Sequence, residues 1–122
     1  MKFEPLSGRE FPRFSGIKTF FRLPHVSLDA EYDIGIAGVP FDGGLSYRPG
    51  ARFAPSSVRE MSALGRGYNW ARGAHIWSKK KVADIGDSPT VPIDLKQSHE
   101  KIEKFFTPLY ANGKKLIAVG GD

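Results

Sequence analysis

Cysteine is absent from the sequence, which excludes disulfides and thiolate metal sites. Any metal would have to be held by His, Asp or Glu, a donor set that suits harder or borderline cations such as Mn²⁺. No apolar run approaches the roughly 20 residues of a membrane span. The opening MKFEPLSGREFPRF has neither a secretory apolar core nor an Arg/Ser-rich, acidic-poor transit pattern. The expectation is a cytoplasmic protein with no membrane partner. Phosphate-loop patterns are missing too: there is no GxxxxGK[ST] and no GxGxxG. Nor is there a GxSxG elbow or a Ser/His/Asp set. The only histidines are His25, His75 and His99. Their spacing matches no metal pattern, and His99-Glu100 lacks the second histidine of HExxH. They read as surface or packing residues.

What is present fits one domain. A chain of 122 residues has room for a modest core. Its 40% hydrophobic and 25% charged residues are those of an ordinary soluble domain. Net charge is +5, with a local run at Ser78-Lys79-Lys80-Lys81. No helix carries a basic stripe and no aromatics alternate with the lysines. The run is therefore read as a solvated turn before a strand rather than a nucleic-acid footprint, and no nucleic-acid partner is expected.

Residues 1–30 read as an arm, with Pro5, Pro12 and Pro24, little periodicity, and Phe3, Phe11, Phe14, Phe20 and Phe21. So many aromatics without a pattern must lie on something, either the arm's own domain or a neighbouring subunit. Asp33 to Val39 then reads as a buried strand closed by Pro40. A turn-rich loop runs from Phe41 to Ala54. Pro55 suits the first turn of a helix reaching about Leu64 and burying Val58, Met61 and Leu64. Val82 to Gly86 is a second strand. A long helix follows over about Leu95 to Ala111, with Ile102, Phe105, Phe106 and Leu109 forming a stripe that must face a sheet. Pro108 is expected to kink it or split its last turn, and Asn112-Gly113 to stop it. Leu116 to Val119 is a third strand. The alternation of strands and helices predicts an α/β fold with a mostly parallel sheet. Residues 31–122 are expected to form the first half of a single α/β domain, its remaining elements lying outside the sequence.

In open α/β sheets ligands sit beyond the carboxyl ends of the strands. Three segments qualify: Pro40 to Ala54, the residues after Gly86, and Gly120 onward. In PFDGGLSYRPGARFAP the glycines permit tight turns, and Arg48 and Arg52 offer planar donor forks. The forks serve either to tie the loop to the sheet or to meet a substrate.

These same segments resemble the agmatinase branch of the ureohydrolase (arginase-like) family. GVPFDGGLSYRPGARFAPSSVRE looks like that family's first strand, loop and helix. GIKTFFRLPH resembles the preceding arm, VADIGD the second strand with its acidic turn, and LIAVGGD the strand leading into a Gly-Gly-Asp-His motif. The resemblance spans Gly16 to Asp122. Leu45 stands where related loops commonly have Thr or Ser, and Ala54 where they commonly have Gly.

The resemblance implies a three-layer α/β/α arginase-like fold and the hydrolysis of a guanidino compound to urea and an amine. It implies a binuclear Mn²⁺ centre whose ligands lie beyond residue 122, so residues 1–122 alone are expected to be inactive. Asp122 would stand beside the first ligand position, and no catalytic or metal-binding residue is assigned within the sequence. Phe41, Asp42, Tyr47 and Arg48 are the candidates for the mouth of the site. The implied partners are a small guanidino substrate and further copies of the chain, as a trimer or hexamer. Two other readings stand beside it: a truncated, non-catalytic interaction subunit, and a small nucleotide- or nucleic-acid-binding α/β module.

Overall fold

The computed structural model describes residues 1–122. In chain order the regular elements are β1 (Ile34–Val39), α1 (Ala54–Ser62), β2 (Tyr68–Asn69), β3 (Ala74–His75), β4 (Val82–Asp87), α2 (Leu95–Ala111) and β5 (Lys115–Gly120). Single 3₁₀ turns occur at Phe20–Arg22, Ala51–Phe53 and Ile76–Ser78. The predicted α/β class holds: β1 lies between β4 and β5, and both neighbours run parallel to it. The two-residue strands β2 and β3 form a small antiparallel hairpin that the glycine- and arginine-rich composition of this stretch did not announce. No helix is long and apolar enough to cross a membrane.

Strand alternation separates two cores. Ala37, Ala83 and Ile85 point to one face, where Leu109, Phe105 and Phe106 of α2 cover them. Ile36 and Val82 point to the other, where Phe20, Leu23 and Trp77 cover them. Phe105, Phe106 and Leu109 of the stripe read on α2 therefore meet the sheet as expected, while Ile102 stays outside that core. Burying a side chain such as Leu109 contributes about 1.5–3 kcal/mol. The helix begins on an Asp-x-x-Gln cap. The Gln97 N–H donates to Asp94 Oδ1 at 2.8 Å, and the Gln97 side-chain amide donates to Asp94 Oδ2 at 2.8 Å. It ends as Asn112-Gly113 predicts. Gly113 takes φ +71°, its N–H bonds the Tyr110 carbonyl, and the Lys114 N–H bonds that of Leu109. Pro108 does not split it; the helix continues to Ala111.

On α1 the expectation is overturned. Val58, Met61 and Leu64 are exposed, whereas Pro55, Ala63 and the Arg59 side chain turn inward. The reason is electrostatic. Asp84 is buried in β4 with its carboxylate on this face, and Arg59 is the cation that neutralises it. A buried carboxylate left unpaired would cost more than an exposed Val or Met.

From Phe20 to Val26 the arm lies on its own domain. Phe20 and Leu23 are fully buried, and Val26 joins the α2-side core. The Asp84 N–H donates to the Pro24 carbonyl and the Val26 N–H to the Asp84 carbonyl, so the arm pairs with the free edge of β4. Phe11 and Phe14 remain exposed.

Candidate functional site

The carboxyl ends of the strands converge. After β1 the chain turns through Pro40 so that the Asp122 N–H, at the tip of β5, donates to the Phe41 carbonyl at 2.8 Å. Gly121 permits this approach: it takes φ +34°, and a Cβ there would collide with the Phe41 carbonyl oxygen. From the other flank, the Ser88 N–H donates to the Gly38 carbonyl at 2.9 Å, just beyond β4. All three candidate segments thus meet at one end of the sheet.

The loop after β1 is closed by Asp42. Its Oδ2 accepts from the Gly50 N–H at 2.6 Å and the Arg52 N–H at 3.1 Å, while Oδ1 accepts from Arg52 Nε at 2.7 Å. The Gly50 N–H, joined by the Arg52 donors, holds the Asp42 carboxyl below the ordinary carboxylate range, with burial acting against it. Arg52 is therefore the structural member of the two arginines. Residues 43–49 are left as an excursion pinned at both ends, with Tyr47 at the surface and the Arg48 guanidinium 5.1 Å from the centre of its ring.

The four residues read as the mouth of the site divide accordingly. Phe41 and Asp42 are buried. The Phe41 ring meets His99 of α2 edge-on at 6.2 Å. Tyr47 and Arg48 stand outward on the loop. The Asp122 carboxylate lies against Gly44, with Oδ2 3.1 Å from where a Cβ on that glycine would stand. The structure brings Phe41, Gly44 and Asp122 together; Tyr47 and Arg48 extend away from them on the excursion.

Beneath this end of the sheet lies a charged cluster that sequence reading did not single out. Arg59 Nε donates to Asp84 Oδ2 at 2.7 Å, Nη2 to Asp84 Oδ1 at 3.0 Å, and Nη1 to Asp87 Oδ1 at 2.7 Å. Asp84 also accepts from the Phe20 and Gly86 N–H groups, and the Phe20 ring lies 4.2 Å from the guanidinium carbon. Burial alone pulls the Arg59 pKa down, but the two carboxylates outweigh it and raise the pKa above its ordinary value. Two aspartates three residues apart on a strand should face opposite sides. They share one here because the pairing of β1 with β4 slips between Ile36 and Gly38, with Gly86 at φ +84°. The bulge inserts one residue and turns Asp87 back toward α1. The available signal was the pair of carboxylates flanking a glycine in VADIGD, a pattern that calls for a nearby cation.

No group of three or more His, Asp or Glu side chains gathers closely enough to hold a metal ion. A binuclear metal centre therefore does not fit residues 1–122 by themselves, and no chemical step is assigned to these residues through one.

The arginase-family profile matches residues 32–122. The chain belongs to the arginase family. It is 42% identical over 119 residues to guanidinopropionase of Pseudomonas aeruginosa, covering 98% of this chain and 37% of that protein. The solved structure of proclavaminate amidinohydrolase from Streptomyces clavuligerus superposes with a TM-score of 0.83 at 35% identity, over 91% of this chain and 38% of that one. Formiminoglutamase of Trypanosoma cruzi, solved with Mn²⁺, superposes with a TM-score of 0.63 at 31% identity, over 73% of this chain and 30% of that one. The chain thus spans well under half the length of these relatives, and what it shares with them is the arginase-like scaffold described above.

Proposed function

We propose that the protein is an agmatinase-like ureohydrolase that hydrolyses a small guanidino compound to urea and an amine, with Mn²⁺ as its metal. One observation carries this reading. In an arginase-family chain, the Asp42-clasped loop and the tip of β5 are locked together by the Asp122 N–H and the Phe41 carbonyl at the carboxyl end of a parallel sheet. The name of the Pseudomonas relative supports a guanidino acid among the possible substrates, and the manganese in the formiminoglutamase structure supports the metal.

Within residues 1–122 the contribution is to shape and position. Asp42 closes the loop without spending Arg48, whose planar fork stays available at the surface. Phe41 closes the floor against His99. Asp122 is held rigidly at a strand tip, where a neighbouring ligand would inherit its placement. The metal ligands are assigned to sequence outside residues 1–122. The protein is further proposed to be cytoplasmic and to assemble as a homotrimer or hexamer. The exposed Val58 and Met61 on α1, with Leu64 just beyond its end, offer apolar surface for such contacts.

The test assays the gene's complete product beside residues 1–122 alone, with added Mn²⁺, for urea released from guanidinopropionate, guanidinobutyrate and agmatine. Urea from the complete product and none from residues 1–122 is expected. No release from any guanidino compound by the complete product would overturn the activity. Release by residues 1–122 would overturn the assignment of the ligands.

A further inference from the structure

We infer that the cleft between the N-terminal arm and the turn after α1 is an anion-binding site, built for a small carboxylate or phosphate. The cleft encloses about 450 Å³, and Trp77 and Phe21 supply apolar wall. It is lined by three arginines, Arg13, Arg22 and Arg66, and by His75, against the single acidic residue Glu4. Trp77 precedes β4 and Ala63 follows α1, so the cleft lies toward the amino ends of the parallel strands. The three segments that meet at the carboxyl ends contribute nothing to it.

Arg22 is the deciding residue. It is 7% exposed, yet no carboxylate lies within ion-pair distance of it; the ion pairs of the chain involve Arg52, Arg59 and Lys81 only. Its one side-chain hydrogen bond is from Nη2 to the Phe11 carbonyl at 3.0 Å. None of its other nitrogens is both fully buried and unpartnered, so they keep contact with solvent, and the cleft that Arg22 lines is where an anion would reach them. Arg13 is half committed, with Nη1 on the Ala63 carbonyl at 3.1 Å. Arg66 makes no side-chain hydrogen bond or ion pair with the rest of the chain.

The backbone is distorted to put Arg22 there. Phe21 and Arg22 are the only non-glycine residues with positive φ, at +54° and +59°, and they are consecutive. Left-handed backbone is unfavourable for residues with a Cβ and persists only where surrounding bonds enforce it. Those bonds are present. The Phe21 N–H donates to Ser62 Oγ at 2.8 Å, and Thr19 Oγ1 donates to the Leu23 carbonyl at 2.6 Å. The fold thus maintains a strained turn that carries a little-exposed arginine, without an ion-pair partner, at a cleft lined by two more. An oxyanion bridging Arg22 and Arg66 would satisfy both through charge-assisted hydrogen bonds.

Trp77 reports on the cleft. Replacing the exposed Trp70 with Phe leaves Trp77 as the sole tryptophan of the chain. Its emission is followed in the full chain while sodium phosphate, or separately sodium succinate, is added against sodium chloride at matched ionic strength. A saturable change with phosphate, succinate or both, and none with chloride, is expected. The two titrations distinguish the phosphate from the carboxylate source. Arg22→Gln and Arg66→Gln should each weaken the binding about tenfold, equivalent to ~1.4 kcal/mol. Because Arg22→Gln disturbs a buried position, Arg66→Gln at the surface decides the matter if the former fails to fold. A response that chloride reproduces, or Arg66→Gln binding as tightly as the parent, overturns the site. Neither outcome bears on urea release, so the proposal and the ureohydrolase reading fail independently.

Discussion

Arg59 and Asp84 meet at two points, Nε to Oδ2 at 2.7 Å and Nη2 to Oδ1 at 3.0 Å, joining α1 to the interior of the sheet. Asp84 is buried and the Arg59 side chain largely so, and the geometry of the pair rather than its charge alone decides its worth. Replacing Arg59 with Met leaves the Asp84 carboxylate desolvated without its partner, and should destabilise the chain by about 3–5 kcal/mol. Replacing it with Lys keeps the charge but loses the fork, and should cost about 1–3 kcal/mol. Guanidinium chloride unfolding midpoints at neutral pH check both. Equal stability of Arg59→Lys and the parent would mean that the second contact contributes nothing.

Gly38 tests whether the bulge places Asp87 as described. A Cβ on Gly38 would run into the Asp87 carboxylate and come within 2.8 Å of Pro55 Cβ. Gly38→Ala should therefore cost roughly 1–3 kcal/mol through overpacking. Asp87→Ala removes one of the two obstructions, so in the double variant the cost of Gly38→Ala should shrink. A double-mutant cycle showing strict additivity would place the Asp87 carboxylate elsewhere.

What was legible in the sequence followed periodicity and local signals. Phe105, Phe106 and Leu109 marked the inward face of α2, and Asn112-Gly113 its end, because both depend on residues close in sequence. The inward face of α1 was misread for the opposite reason. Its apolar residues Val58 and Met61 suggested one face, while a charge on β4, 25 residues from Arg59, selected another. Helical periodicity carries no information about a cation required by a distant buried carboxylate. The loop showed both cases: its glycines announced turns, but only the fold reveals that Asp42 closes it on Gly50 and Arg52. Gly86 gave no sign that it would reset the alternation of β4, since a bulge depends on the partner strand.

The Asp42 clasp and the Asp94 cap predict an acid-sensitive fold. Both carboxyls have native pKa values below the ordinary 3.8, through the Gly50 N–H for Asp42 and the Gln97 N–H for Asp94. A lowered native pKa means the unfolded chain binds the proton more tightly. The stabilisation is therefore complete above pH 3.8 and declines as pH falls below it toward the native values. Asp42→Asn and Asp94→Asn should flatten the fall in stability below pH 3.8. Asp42→Asn should in addition raise proteolytic cleavage between Gly43 and Gly50 at neutral pH, where Asp94→Asn has no effect. Unchanged cleavage in Asp42→Asn would show that the loop is held by something other than its clasp.

Phe20 and Phe21 adjoin in the arm but answer to different surroundings. Phe20 is fully buried among Ile36, Leu23 and Val82, beneath the Arg59 guanidinium. Of the two places open to the arm's aromatics, Phe20 takes the first: it belongs to the chain's own core. Phe20→Ala should cost about 3–5 kcal/mol of stability. Phe21 is 37% exposed and packs against Trp77 with ring centres 5.4 Å apart. Phe21→Ala should cost the chain only about 0.5–1.5 kcal/mol. If the arm also lies at a contact between copies of the chain, the exposed edge of Phe21 is the part that can reach it. Sedimentation velocity on the complete gene product then separates the roles. Phe21→Ala should weaken assembly while leaving the unfolding midpoint close to the parent's, and Phe20→Ala should lower the midpoint first. A Phe21→Ala protein with the parent's assembly state would confine the arm to its intramolecular work of covering the sheet and presenting Arg22.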